Sequence, residues 1–261
     1  LRFNDEQPAV ISVTESGSKQ IITYSELRNC VAKMAAELRN LGVEKGDRVA
    51  GWLPNIPETV IAMLATTSLG AIWSSTSPDF GVEGALDRFG QIEPKVLFAC
   101  DGYQYNGREY DVTNNVTAVT NKIESIQQVI WISLIGTHEN TFNTILKRPD
   151  TALLFEQVPF DHPLFIMYSS GTTGKPKCIV HGHGGTLLQH LKEHQLHCNL
   201  KRHDVLFFFT TCGWMMWNWL ISGLATGATI VLYEGSPFAR RDILLDMIDD
   251  LGITIFGVGA K

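Results

Sequence analysis

The sequence predicts an α/β fold with mixed, largely parallel sheets and flanking helices, and three observations carry that expectation. Short apolar runs alternate along the chain with stretches whose apolar residues recur every three to four positions, the pattern of strands joined by helical crossovers. A hydroxyl- and glycine-rich segment follows one of those runs directly, at the strand end where such sheets hold ligands. The 261 residues are 44% hydrophobic, enough to bury a sizeable core. An antiparallel all-β architecture does not fit this alternation.

In chain order, apolar runs over 8–14 and 20–23 flank Ser16-Gly17-Ser18 and predict a hairpin. Thr23-Tyr24-Ser25-Glu26 is a capping-box signature. Leu27, Val31, Met34, Leu38 and Leu41 then mark an amphipathic helix closed by Gly42. A turn at 44–47 leads into a strand over 48–53, which Pro54-Asn55-Ile56-Pro57 breaks. A helix over 58–69, a strand over 71–75, a helix over 82–89 and a strand over 95–99 follow. Residues 101–121 are polar and aromatic with little period, so loop and a weak helix are expected there. A strand is expected over 129–134, and 136–156 reads as variable connecting chain. Beyond the central loop come a strand over 178–181, a tight Gly182-His183-Gly184-Gly185 connection and a helix over 186–198. Strands over 205–210, 229–233 and 253–256 then alternate with helices over 214–226 and 240–250. The softest boundary falls near 136–160.

A net charge of −6 argues against a nucleic-acid partner held by counterion release. Between Lys175 and Arg202, however, five positive residues face one negative, so a small anion is favoured locally. No apolar run approaches the roughly 18 residues of a membrane span, and no charged-then-apolar leader opens the sequence. The default expectation is a cytoplasmic, cytosolic protein. Five cysteines without a pairing pattern are expected to be reduced thiols. The sequence starts at Leu1 and stops just past an apolar run, from which an internal piece of a longer protein is expected.

The central segment is Tyr168-Ser169-Ser170-Gly171-Thr172-Thr173-Gly174-Lys175-Pro176-Lys177, behind the apolar run 163–167. Glycines let backbone N–H groups converge on an anion, hydroxyls add neutral donors, and lysine adds a mobile charge. That combination predicts a nucleotide phosphate site. It is not a Walker loop, because two residues rather than four separate Gly171 from Gly174 and Pro176 stands where a magnesium-binding hydroxyl belongs.

Two further clusters compete with plainer explanations. His190, His194 and His197 share a helix face, but a basic, partly exposed face is the preferred reading over zinc, and no metal site is assigned. Trp214-Met215-Met216-Trp217-Asn218-Trp219 suits either ordinary core or a shaped apolar pocket with Asn218 as its polar handle. No Gly-x-Ser-x-Gly elbow supports acyl-enzyme hydrolysis.

The loop 168–177 resembles the phosphate-binding signature of the adenylate-forming superfamily, which contains acyl-CoA synthetases, luciferases and peptide-synthetase adenylation domains. Ala71-Ile72-Trp73-Ser74-Ser75-Thr76-Ser77-Pro78-Asp79-Phe80-Gly81, Gly185-Thr186-Leu187-Leu188-Gln189-His190 and the stretch from Gly213 through Asn218 resemble its acetoacetate-activating branch more than the acetate-activating one. The resemblance implies a ligase that joins an acid to CoA through an acyl-adenylate, with acetoacetate, ATP and CoA as substrates and Mg2+ accompanying ATP. It places Ser169, Ser170, Gly171, Thr172, Thr173, Gly174 and Lys175 on the β and γ phosphates, Thr172 and Lys175 being the catalytic candidates. It sets Trp214, Met215 and Asn218 in the acyl pocket, and Met216 near the incoming pantetheine. Tyr105-Asn106-Gly107-Arg108 resembles a CoA-contacting segment with two arginines in acetate-activating relatives; only Arg108 matches, and Tyr105 replaces the other. The resemblance also implies that residues 1–261 are part of an N-terminal AMP-binding domain, the adenine, ribose and hinge motifs and a C-terminal domain lying beyond Lys261. The 261 residues alone are then expected to be inactive. A ligase for acetate or butyrate, and a silent truncated product that acts by binding a partner, are the alternatives.

Overall fold

Thr23 shows how local chemistry starts this fold. Its hydroxyl accepts the Glu26 N–H at 3.2 Å while the Glu26 carboxylate accepts the Thr23 N–H at 2.8 Å, closing the capping box. Seventeen residues on, the helix stops as the Gly42 N–H reaches Arg39 O and the Val43 N–H reaches Leu38 O, both at 2.9 Å, with Gly42 at φ 74°. This is a Schellman closure, and only glycine adopts that φ without strain.

The computed structural model describes residues 2–169 and 174–259. Its first half comprises β1 (Pro8–Thr14), β2 (Lys19–Thr23), α1 (Tyr24–Asn40), β3 (Arg48–Trp52), α2 (Pro57–Ser68), β4 (Ile72–Thr76), α3 (Gly81–Ile92), β5 (Val96–Cys100), β6 (Gly102–Tyr105), β7 (Arg108–Asp111), α4 (Thr113–Thr120), β8 (Gln128–Ile132) and α5 (Thr141–Leu146). The second comprises β9 (Pro163–Tyr168), β10 (Cys178–Gly182), α6 (His183–Lys192), β11 (Val205–Phe208), α7 (Met215–Ser222), β12 (Thr229–Glu234), α8 (Ile243–Leu251) and β13 (Ile255–Gly257). None of the described helices is long and apolar enough to cross a membrane.

Two sheets dominate. One has the order β10-β9-β4-β3-β5-β8, the other β13-β11-β12-β1-β2. Both are parallel except for a single antiparallel edge strand, β10 on β9 and β2 on β1. Helices α1, α2 and α7 contribute to one core with strands of both sheets: Met34, Val60 and Trp217 bury with Trp73 and Phe165 of the first sheet and Val10 and Leu206 of the second. Phe89 and Val119 cover the other face of the first sheet, and Ile243 and Met247 that of the second. Strands covered on both faces read as continuous apolar runs, which is why β4 and β5 are buried throughout. Packing in the centre is tight; a Cβ at Gly51 would come within 2.5 Å of the Trp73 ring.

Three expectations are corrected. Residues 102–111 form a hairpin, whose tip Asn106 and Gly107 both have positive φ (52° and 73°) and so make the turn that matches strand twist. The connecting stretch contains α5, ordered because Phe142 buries against Phe98. Two of the three histidines on the predicted face, His190 and His194, are buried rather than solvent-coated, while His197 is exposed. α6 begins at His183, continues through a wider π turn over Glu193–His197, and encloses His190 and His194. The His194 ring packs at a tilt against Trp219, centroids 4.2 Å apart, and its Nε2 donates to Trp219 O at 2.9 Å. Burial depresses both imidazoles, His190 to about 4, so they are neutral packing groups at pH 7.

Asp101 fixes the segment after β8. Its carboxylate accepts the N–H groups of Leu134 (2.7 Å), Ile135 (3.2 Å), Thr137 (2.9 Å) and His138 (3.3 Å) and the Ser133 hydroxyl (2.8 Å). Burial alone would raise this carboxyl, but the donors outweigh it and hold it below the usual value. Its stabilisation is therefore complete above about pH 4 and lost as pH falls through the folded value. Asp101→Asn, which turns an amide against those donors, is expected to cost about 2–3 kcal/mol at pH 7. Thermal unfolding of the two full-length proteins should show the gap closing below about pH 4; a gap independent of pH would contradict this account.

Candidate functional site

The C-terminal ends of the parallel strands in both sheets converge on one region, and Asn55 ties them. It follows β3, is 1% exposed, and its Nδ2 donates to Thr210 O just after β11 (3.2 Å) and to Tyr233 O in β12 (3.3 Å). Its Oδ1 accepts Trp217 Nε1 at 2.8 Å, and its backbone N–H donates to the Glu234 carboxylate at 2.6 Å. Cys212 is drawn in similarly, its carbonyl accepting the Ser75 hydroxyl at 2.7 Å.

The predicted phosphate segment emerges from β9 and returns in β10. Its neck is closed at the edges: the Ser169 N–H donates to Lys177 O at 3.0 Å, and the Lys177 N–H to Ser169 Oγ at 3.2 Å. Of the remaining predicted phosphate ligands, Ser170, Gly171, Thr172 and Thr173 lie outside the described residues. Gly174 has φ 91°. Lys175 is largely exposed, its Nζ 3.6 Å from Asp87 of α3, and Pro176 O accepts Gln91 Nε2 from the same helix at 2.9 Å. The returning limb thus leans on α3. Sequence reading missed Arg88, whose guanidinium lies 4.3 Å from the Phe80 ring centre and 5.6 Å from that of Tyr168, a cation held beneath the start of the loop. The Tyr168 hydroxyl is 2.9 Å from Ser74 Oγ, which joins the last residue of β9 to the middle of β4.

The tryptophan cluster divides by face. Trp217 and Trp219 are core, whereas Trp214 is 53% exposed and lines, with Met216, Phe208 and Phe209, a cavity of ≈ 690 Å3. Met215 opens α7 half-exposed, and Asn218 lies one turn deeper than Trp214, 4% exposed. Trp214 and Met216 line the cavity and Trp217 and Trp219 pack in the core, while Met215 and Asn218 are not among the residues that line that cavity.

A neighbouring cavity of ≈ 460 Å3 shares Phe209, Thr210, Thr211 and Pro237 with the first and is roofed by the β6–β7 hairpin through Tyr103, Tyr105 and Tyr110. Arg108, opposite Tyr105, is exposed beside it. Asp79 and Glu234 make its lining acidic. Burial drives the Glu234 carboxyl up to about 7, partly offset by the Asn55 N–H and reinforced by Asp79 and Glu15. Neither acid was singled out from the sequence, since each acquires its role from distant chain. Among the described residues no cluster of His, Cys, Asp or Glu is arranged to hold a metal ion.

A hydroxyl- and lysine-bearing segment at the end of a parallel strand, in an α/β protein with an apolar cavity among the other strand ends, is the layout in which such sheets hold ligands. The profile of the AMP-binding enzyme family matches residues 2–259, and the chain belongs to that family. It is 48% identical over 280 residues to acetoacetyl-CoA synthetase of Gallus gallus, covering 100% of this chain and 42% of that protein. Malonamoyl-CoA synthetase vrtB of Penicillium aethiopicum is 45% identical over 283 residues, covering 98% of this chain and 39% of its own. The solved acetoacetyl-CoA synthetase from Streptomyces lividans superposes with a TM-score of 0.94 at 48% identity, over 97% of this chain and 40% of that one. The chain thus spans about two-fifths of the length of these relatives.

The hairpin roof is held by one carboxylate. Glu15 accepts the N–H groups of Asn106 (2.8 Å), Gly107 (2.7 Å) and Ser236 (2.8 Å), anchoring the tip to the second sheet. Glu15→Gln keeps the shape but loses the charge-assisted bonds, so hydrogen-exchange protection at Asn106 and Gly107 is expected to fall about tenfold. Unchanged protection there would mean the hairpin is held by its own ladder.

Proposed function

We propose that the protein is an ATP-dependent acid–thiol ligase acting on a small 3-oxo acid, acetoacetate first among them. Support comes chiefly from the family match over 2–259, with the hydroxyl, glycine and lysine loop at the end of a parallel strand. The acyl groups in the relatives' names, acetoacetyl and malonamoyl, both carry a carbonyl at C3. Substrate carboxylate attacks the α-phosphorus of Mg-ATP, an O–P bond forms, the bond to the β-phosphate oxygen breaks and pyrophosphate leaves. CoA thiol then displaces AMP from the acyl-adenylate.

In this reading Ser169, Ser170, Gly171, Thr172, Thr173, Gly174 and Lys175 hold the β and γ phosphates. Thr172 and Lys175 stabilise charge gathering on the leaving pyrophosphate. Lys175 is suited to the task, because a loose surface pair such as that with Asp87 contributes only about 0–1 kcal/mol and gives way to a stronger anion. Mg2+ arrives with ATP. Trp214, Met215 and Asn218 bound the acyl group, and Met216 lies toward the incoming thiol. Arg108 at the rim of the acidic cavity takes a CoA phosphate while the neutral arm passes the tyrosines. Cytosolic residence, supplying activated acetoacetate for lipid synthesis, completes the proposal.

The proposal concerns the whole protein. Residues 1–261 are proposed to be part of its N-terminal AMP-binding domain, softly divided near 136–160, carrying the phosphate loop and acyl wall but neither complete half-reaction.

Acetoacetate-dependent ATP–pyrophosphate exchange by the full-length protein tests this directly. Lys175→Ala is expected to lower the exchange rate about 100-fold; full activity in that variant would remove the loop from the chemistry. Trp214→Ala, which opens the cavity wall, is expected to shift kcat/KM among acetate, acetoacetate and butyrate by about tenfold. An unchanged preference would place the acyl group elsewhere.

A further inference from the structure

Glu234 ends β12 and is held at two points. Its backbone carbonyl accepts the Glu15 N–H at 2.9 Å, and its Oε2 accepts the Asn55 N–H at 2.6 Å. Among the described residues no group bonds Oε1, and that oxygen is not sealed in the core; it is left to the ≈ 460 Å3 cavity that Glu234 lines. Tying Asn55 down does not call for an acid. A glutamine here would accept the same N–H without setting a buried charge near Asp79 and Glu15. The free acceptor suits a visiting group that carries a proton.

This cavity and the ≈ 690 Å3 cavity walled by Trp214 and Met216 share Phe209, Thr210, Thr211 and Pro237. The Trp214 N–H donates to Thr211 O at 3.2 Å, so the turn that opens α7 is built on the shared wall. A molecule that enters beneath the hairpin and reaches across those four residues brings its end to the acyl wall with Glu234 alongside. The groups facing Glu234 hold their own protons. Burial foremost, with nearby carboxylates, pushes up the thiols of Cys100 and Cys212. Burial likewise raises Tyr103 and Tyr233, the latter to about 12, while Tyr105 and Tyr110 complete the roof. Glu234 itself is driven up to about 7 by burial, with Asp79 and Glu15 adding to the rise, so near neutral pH it can take a proton and pass it on.

Resting on the reading of the protein as an acid–thiol ligase, we infer that Glu234 is the general base of the second half-reaction: its free carboxylate oxygen takes the thiol proton as sulfur attacks the acyl-adenylate. The S–C bond forms, the bond from the acyl carbon to the AMP phosphate oxygen breaks, and AMP leaves with that electron pair. Glu234 then returns the proton to solvent through the open side of the cavity. A thiol is ionised by only a few per cent at neutral pH, so a positioned base speeds this step and has no part in the first.

The test separates the half-reactions in the full-length protein: ATP–pyrophosphate exchange with acetoacetate in the absence of CoA, and single-turnover transfer from the preformed acyl-adenylate to CoA. Glu234→Gln is expected to keep exchange within about twofold of wild type and to slow transfer about 100-fold at pH 7. That deficit closes toward about pH 9, where the CoA thiol ionises unaided. Wild-type transfer is expected to fall as pH drops through about 7 and to level off above it. Should the glutamine variant fail to fold, this wild-type profile carries the test, since a thiol that ionises unaided keeps rising past about pH 8. Equal losses in exchange and transfer, or a transfer deficit independent of pH, would assign Glu234 to packing and overturn the inference. Undiminished transfer in the variant overturns it too and leaves the ligase reading intact. Absence of exchange with every acid would sink the ligase reading, and the inference with it.

Discussion

Four hydrogen bonds from one asparagine decide how the two sheets face each other. Asn55 leaves β3 and reaches carbonyls after β11 and in β12, the indole of Trp217 and the carboxylate of Glu234. Each partner is buried or deeply set, where an unpaired amide costs more than the bond returns in water. The sheets consequently meet at their C-terminal ends, and the chain that follows β4, β11 and β12 lines shared space.

That convergence separates three kinds of surface. Hydroxyls, glycines and lysines at the β9–β10 turn suit phosphate, the outer face of α7 is apolar with one amide beneath it, and the hairpin roof encloses carboxylates and tyrosine rings. Ligands of different polarity can thus lie within a few residues of one another without any surface having to serve two of them. The electrostatic contrast is sharpest between exposed Lys175 and the acidic lining around Glu234.

Much of this was legible in the sequence wherever the signal is local. The capping box at Thr23, the Gly42 closure and the apolar runs of β3, β4 and β5 stated their structures outright, since each depends on residues a few positions apart. The loop after β9 stands out by composition, and its proposed phosphate role rests on that composition. Elsewhere the signal was present but unread: Asn106-Gly107 between tyrosines is a hairpin signature that charged neighbours obscured. The histidines misled because spacing reveals a shared helix face, not what covers it; Trp219, 25 residues on from His194, does the covering. Asn55, Glu15 and Glu234 were invisible for the same reason, their partners lying 91 to 221 residues away in several cases.

Glu234 gives the acidic cavity an adjustable charge. Burial pushes the midpoint of this carboxyl up to about 7, so, unlike a surface carboxylate, it can change charge in a near-neutral medium. Any anion that settles over the lining raises that midpoint further, so it draws in a fraction of a proton as it binds. Occupancy of the cavity by a negatively charged molecule is in this way coupled to proton uptake from solvent, and the coupling runs through one side chain that never needs to touch the visitor.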